Sequence, residues 1–264
     1  MSKFVREEFT VKGVKTVVHT AGKGEPLVLF HGAGTVDGFE FAGAWADRFR
    51  VVVPYHPGFG ESGDDPTFTE MQDYVMHYLD LFDLLKIETL SLVGLSMGGY
   101  MAAKFASQQS HRVQKLAVIA PYKLHIPEYP TIDIIATPPE QLVLMLVSNF
   151  DTLKRSLPEK PDAEFIATRR REAESFARMF AEHPSDLKLP RHLHRVKMPT
   201  LIVWGDEDKL IPVQQAQYWR KLIPNAQVMI VKGAGHIVQR DKPEVVDAIG
   251  KFLAAGAVSD RAFS

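Results

Sequence analysis

The chain contains no cysteine. Disulfides, thiolate metal sites and a cysteine nucleophile are therefore excluded. An excess of charge is also lacking: 31 basic and 32 acidic side chains leave a formal net charge of -1. Such a balance gives no global field to draw the protein onto nucleic acid or an anionic membrane, and a small-molecule substrate is the expected partner. No apolar run approaches the roughly 20 residues that a membrane span needs. The start, Met1-Ser2-Lys3-Phe4-Val5-Arg6, lacks the apolar core of a secretory signal, so a cytoplasmic location is expected. Glycine is missing from residues 121–190, although that stretch holds nine of the 17 prolines.

Short apolar runs do recur along the chain. Val14–His19, Pro26–Phe30, Val51–Pro54, Leu90–Leu95, Val113–Ile119, Thr200–Trp204 and Ala226–Val231 read as buried strands. Helical spacing of apolar residues falls between them, at Phe39–Phe49, Thr67–Leu85 (with Thr67 or Thr69 as cap), Met97–Gln109, Val213–Leu222 and Pro243–Leu253. This alternation predicts an α/β fold with a mostly parallel sheet of about eight strands covered by helices on both faces. The first two runs lie too close for a crossover helix, which predicts an antiparallel hairpin at that edge. Residues 121–190 carry two helical patterns, Glu140–Phe150 and Asp162–Glu182, and no strand. They read as a helical lid inserted into a core formed by 1–120 and 191–264. In the second pattern Phe165, Ile166, Phe176, Met179 and Phe180 share one face, with Arg169, Arg170 and Arg171 opposite.

The densest chemical signal is Gly94-Leu95-Ser96-Met97-Gly98, between a strand and a helix. A sharp strand-to-helix turn would lift the Ser96 hydroxyl above the sheet at a helix N-terminus, and glycines on both flanks remove the Cβ atoms that would clash there. A serine hydroxyl needs a base. His236 follows the last strand on a glycine-rich loop, Gly233-Ala234-Gly235. The other histidines at 19, 77, 111, 125, 183, 192 and 194 read as surface or packing residues. The base in turn needs an acid to fix its tautomer. Of Asp206, Glu207 and Asp208, the first suits a turn-shaping role and Asp208 is the preferred acid, with Asp206 next. The order Ser96, Asp208, His236 differs from those of the chymotrypsin and subtilisin types. An oxyanion would need two N–H donors, predicted at Met97 and, in the loop His31-Gly32-Ala33-Gly34, at Ala33. His31 itself reads as a brace for that loop. His56-Pro57-Gly58-Phe59-Gly60-Glu61-Ser62-Gly63 lacks the ending of a phosphate loop and reads as a structural turn beside the site.

Together these segments resemble the α/β-hydrolase superfamily over almost the whole chain. His31–Gly34 is similar to its oxyanion loop, Pro57–Ser62 to its Gly-x-Gly-x-Ser turn and Gly94–Gly98 to its nucleophile elbow. Gly205–Asp208 with Pro212 is similar to its acid loop, and Gly235-His236 to its histidine loop. Within it, the chain looks like the small lidded esterases and carbon–carbon bond hydrolases. Haloalkane dehalogenases and epoxide hydrolases of this fold use aspartate at the elbow, and Ser96 argues against them. Meta-cleavage-product hydrolases often have tryptophan after the catalytic histidine, where this chain has Ile237. The resemblance implies hydrolysis of a small or medium, largely apolar carboxylic ester through an acyl-enzyme, with no metal or organic cofactor. Carbon–carbon bond or lactone cleavage by the same triad is the alternative, and a small-molecule receptor with vestigial hydrolysis is an alternative of another class.

Overall fold

The computed structural model describes residues 3–180 and 186–255. Eight strands form one sheet in the order β1-β2-β4-β3-β5-β6-β7-β8. They are β1 (Val5–Val11), β2 (Val14–Ala21), β3 (Glu25–Phe30), β4 (Phe49–Pro54), β5 (Leu90–Leu95), β6 (Val113–Ile119), β7 (Thr200–Gly205) and β8 (Ala226–Val231). From β4 to β8 the neighbours pair in parallel, while β2 is antiparallel to both β1 and β4.

The expected hairpin is present, but between other strands. β2 pairs with β1 through a turn in which Lys12 and Gly13 both have positive φ (48° and 89°), the arrangement whose twist matches paired strands. β4 lies between β2 and β3. β1 shows little apolar alternation because Val5, Arg6, Glu7 and Glu8 are all exposed at the sheet edge, so hydropathy does not reveal it. Gly22 (φ 76°) and Gly24 (φ 114°) turn the chain away after β2, which prevents β3 from folding back onto it.

The helix expected at 39–49 is instead a single 3-10 segment, Glu40–Trp45, and Phe49 already belongs to β4. Gly38 precedes that turn and Gly43 lies within it, and glycine weakens a helix interior. Trp45 is still buried, and its Nε1 donates to Val246 O at 2.9 Å. Helix α1 (Met71–Leu84) starts beyond both candidate threonine caps. Asp73 Oδ2 accepts the N–H groups of Thr69 and Glu70, each at 2.9 Å, while the Thr67 hydroxyl donates to Asp65. The carboxylate thus stabilises the helix start that the hydroxyls leave unserved.

Helix α2 (Met97–Gln108) packs on β5 and β6. Between β6 and β7 the described residues form α3 (Pro139–Met145), α4 (Phe150–Lys154), α5 (Ala163–Phe180) and α6 (Leu189–His192), with no strand among them. The first expected pattern is split at 146–149, where Asn149 caps α4 through Asp151 N. The second gives α5, its end at Glu182 lying outside the described residues. After β7 come α7 (Gln215–Leu222), α8 (Val238–Asp241) and α9 (Glu244–Ala254). One sheet face is sealed by fully buried Tyr74, Tyr78, Phe82, Phe105 and Trp219, the other by residues such as Trp45, Ile249 and Leu253. Side chains of this size contribute roughly 1.5–3 kcal/mol each on burial. No helix among the described residues is long and apolar enough to cross a membrane.

Candidate functional site

Parallel strands bring their carboxyl ends to one edge, and the loops leaving β3, β5, β7 and β8 meet there. Ser96 sits between β5 and α2 with φ 54° and ψ -117°. This left-handed backbone is strained for a non-glycine residue and persists only where its surroundings fix it. Ser96 N–H donates to Ile119 O at 2.8 Å, and Ser96 O accepts from Tyr100 N and Tyr122 N, both at 3.0 Å. A Cβ at Gly94 would collide with Gly98 O, and one at Gly98 with the carbonyl oxygens of Phe30 and His31. The two glycines therefore let the elbow close against β3.

The imidazole of His236 meets Asp208, not Asp206. His236 Nδ1 and Asp208 Oδ2 are 2.9 Å apart, with both side chains buried. Asp208 Oδ1 accepts the N–H groups of Leu210 and Ile211, each at 2.9 Å. That carboxylate is fixed on both oxygens, so the Nδ1–H tautomer of His236 is the one that satisfies it and Nε2 is left as the basic nitrogen. Asp206 Oδ1 accepts Gly233 N at 2.7 Å and so ties the β7 loop to the β8 loop. Glu207 is exposed. Among the described residues no hydrogen bond joins Ser96 Oγ to His236 Nε2; such bonds are commonly long before substrate arrives.

The loop after β3 lies against the elbow: a Cβ built on Gly32 would stand 3.6 Å from Ser96 Cβ. Neither the Ala33 N–H nor the Met97 N–H donates to an acceptor among the described residues. Two free donors beside a serine at a helix N-terminus can receive developing negative charge.

Behind this loop is a set of buried polar groups of which sequence reasoning identified only His31. His31 Nδ1 lies 2.7 Å from Gly32 O, and its Nε2 accepts His56 N–H at 3.1 Å. His56 Nε2 lies 3.0 Å from His31 O, and its Nδ1 pairs with the Tyr78 hydroxyl. One proton assignment satisfies all four contacts, with both imidazoles neutral and the tyrosine donating. Burial lowers the pKa of His31 to about 4 and holds that of His56 well below the usual range. His56 precedes a proline in a polar turn, so no apolar periodicity marks it as buried.

The arginine face of α5 divides. Arg170 is exposed and pairs with Glu174, but Arg169 Nη2 donates to Thr35 Oγ1 at 2.7 Å and Arg171 donates to Gly60 O. Glu172, which no sequence pattern singled out, is 2 % exposed. Its carboxylate takes the Thr35 hydroxyl at 2.7 Å, Gly60 N at 3.0 Å and Arg169 Nη2 at 3.0 Å. On the apolar face Phe176, Met179 and Phe180 are buried, the two phenylalanines against Tyr122, whereas Ile166 is 57 % exposed.

A curated relative, 2-hydroxy-6-oxo-2,4-heptadienoate hydrolase of Pseudomonas putida, is 27% identical and aligns over 92% of this chain and 94% of its own. Lipase 1 of Psychrobacter immobilis is 28% identical over 81% of this chain and 72% of its own. Among solved structures, a bacterial membrane phospholipase A superposes with a TM-score of 0.81 at 22% identity, covering 95% of this chain and 86% of that one; it shares the fold. Residues 27–249 match the alpha/beta hydrolase family as a whole. That stretch runs from within β3 into α9 and includes every loop that meets at the edge of the sheet, and it makes this chain a member of the alpha/beta hydrolase family.

Proposed function

We propose that the protein is a serine hydrolase acting on a small or medium carboxylic ester, with Ser96 as nucleophile, His236 as base and Asp208 as orienting acid. The observation that carries this reading is the 2.9 Å contact between His236 Nδ1 and Asp208 Oδ2, which leaves Nε2 basic at the same carboxyl edge of the sheet from which the strained Ser96 projects. His236 takes the Ser96 proton as the hydroxyl attacks the ester carbonyl. The N–H groups of Ala33 and Met97 hold the tetrahedral oxyanion. The leaving alcohol departs with the proton from His236, and His236 then activates a water that releases the acid. The buried apolar side chains of α5, Phe176, Met179 and Phe180, support an uncharged substrate. The described helices between β6 and β7 form its cap.

A second reading has specific support. The 2-hydroxy-6-oxo-2,4-heptadienoate hydrolase aligns over nearly the full length of both chains, and the same triad serves carbon–carbon bond cleavage. Ile237, in place of the tryptophan frequent in those enzymes, supports the ester reading. The deciding experiment is a panel of p-nitrophenyl acetate, butyrate and octanoate beside a 2-hydroxy-6-oxo dienoic acid, each run with Ser96→Ala as control. Faster Ser96-dependent turnover of the esters is expected. A preference for the dienoic acid would move the assignment to carbon–carbon hydrolysis, and turnover that survives Ser96→Ala would remove the triad mechanism.

A further inference from the structure

Residues between β6 and β7 touch the loops around the candidate site at two separated points. The first point is the histidine loop. Ile237 N–H, next to His236, donates to Leu146 O at 2.7 Å. Asp241 Oδ2 accepts Ser148 N at 2.7 Å and Gly235 N at 2.8 Å, so one carboxylate oxygen joins the two chain segments. Ser148 Oγ donates to Gly233 O at 2.9 Å. The backbones lie so close that a Cβ at Gly235 would stand 2.7 Å from Ser148 N.

The second point is the loop after β3. Glu172 on α5 takes the Thr35 hydroxyl and Gly60 N, and Arg169 donates to the same hydroxyl. Thr35 is two residues from Ala33. Charge-assisted hydrogen bonds made in a buried setting are stronger than neutral ones and are costly to leave half-made. A lid that swung away in each cycle would have to break both sets and leave Glu172 with only Arg169 of its own helix as partner.

We infer that residues 146–148 and helix α5 form a fixed clamp that sets the relative placement of the histidine loop and the oxyanion loop, with Asp241 and Glu172 as positioning residues. This rests on the hydrolase reading for its catalytic consequence but not for its structural one. The clamp acts on donors and on a base that matter most in the transition state, so loosening it lowers kcat more than it raises KM.

Two measurements test it. The first is independent of activity: amide hydrogen exchange at Ser148, Gly235 and Gly60 in wild type, Asp241→Ala and Glu172→Ala. Protection is expected in wild type, with loss at Ser148 and Gly235 in Asp241→Ala and at Gly60 in Glu172→Ala. Fast exchange at all three in wild type overturns the clamp. The second is kinetic, normalised to the fraction of protein that a fluorophosphonate titrates. A fall of about 10-fold to 100-fold in kcat with KM within about threefold is expected for each alanine variant, with partial rescue in Asp241→Asn and Glu172→Gln. A lowered unfolding midpoint with unchanged kcat per titrated site means that the residues only stabilise the fold, and overturns the positioning role.

Should an alanine variant fail to fold, a staple decides. The chain has no cysteine, and Ser175 Oγ on α5 lies 3.5 Å from Asp64 Oδ1 on the core. In the double variant Asp64→Cys, Ser175→Cys, the oxidised and reduced forms are expected to turn over within about twofold of each other. Loss of turnover on oxidation, restored by dithiothreitol, shows a swinging lid and overturns the clamp. If exchange protection holds but wild type hydrolyses nothing on the panel, the clamp stands and the proposed function fails.

Discussion

Asp208 and Asp206 stand two residues apart and are bound to different work. Asp208 bridges His236 and two backbone N–H groups, whereas Asp206 secures Gly233 N. Asp208→Asn keeps the volume but offers an amide to the imidazole and favours the wrong tautomer, so kcat is expected to fall by up to about 10⁴-fold with the fold retained. Asp206→Asn keeps an oxygen for Gly233 N and is expected to change kcat by less than about tenfold. Steady-state kinetics on both variants, with circular dichroism as a check on folding, decide between them. The reverse order of effects would move the acid to Asp206. At this scale the sequence is informative because the chemistry needs particular residue types at particular turns: glycines around Ser96, an acid after β7, a glycine before His236. It is silent on Glu172, His56 and Tyr78, whose partners lie 112, 25 and 22 residues away and leave no local trace.

The elements show a similar division. Buried parallel strands are legible as apolar runs, and all seven expected runs are strands. β1 is not legible, because this edge strand exposes Val5 together with its charged residues. The 3-10 segment at Glu40–Trp45 misleads, because Phe41, Ala42 and Trp45 fit a helical period that two nearby glycines do not sustain. The elbow gives a direct test of how tightly the elements are joined. Gly98 faces the carbonyl oxygens of Phe30 and His31 across the β3–α2 contact, so Gly98→Ala must push α2 away from the sheet. A loss on the order of 1–3 kcal/mol is expected from such overpacking, read as a lower urea midpoint, together with slower acylation of Ser96. An unchanged midpoint would mean that the elbow yields without cost and that the glycine requirement has another origin.

Across the whole molecule, three buried histidines link stability to pH. Burial lowers His31 and His77 from 6.5 to about 4 and holds His56 well below its usual range, so all three are neutral in the folded protein. The unfolded chain protonates them as pH falls below about 6.5. It then binds more protons than the folded state, and stability declines from about pH 6.5 down to about pH 4. For His31 alone the full effect is roughly 3 kcal/mol. Urea midpoints measured at pH 7.5, 6 and 5 are expected to fall in that order, and a flat profile would mean that these groups are charged or relaxed in the fold. The proposed activity rests on one serine, Ser96, made reactive by its neighbours. The most direct test is to label the protein with a fluorophosphonate and locate the adduct by peptide mass mapping, in wild type and in His236→Ala. A single adduct on Ser96, slowed strongly in the variant, is predicted. An adduct on another residue, or an active preparation that takes no label, would contradict it.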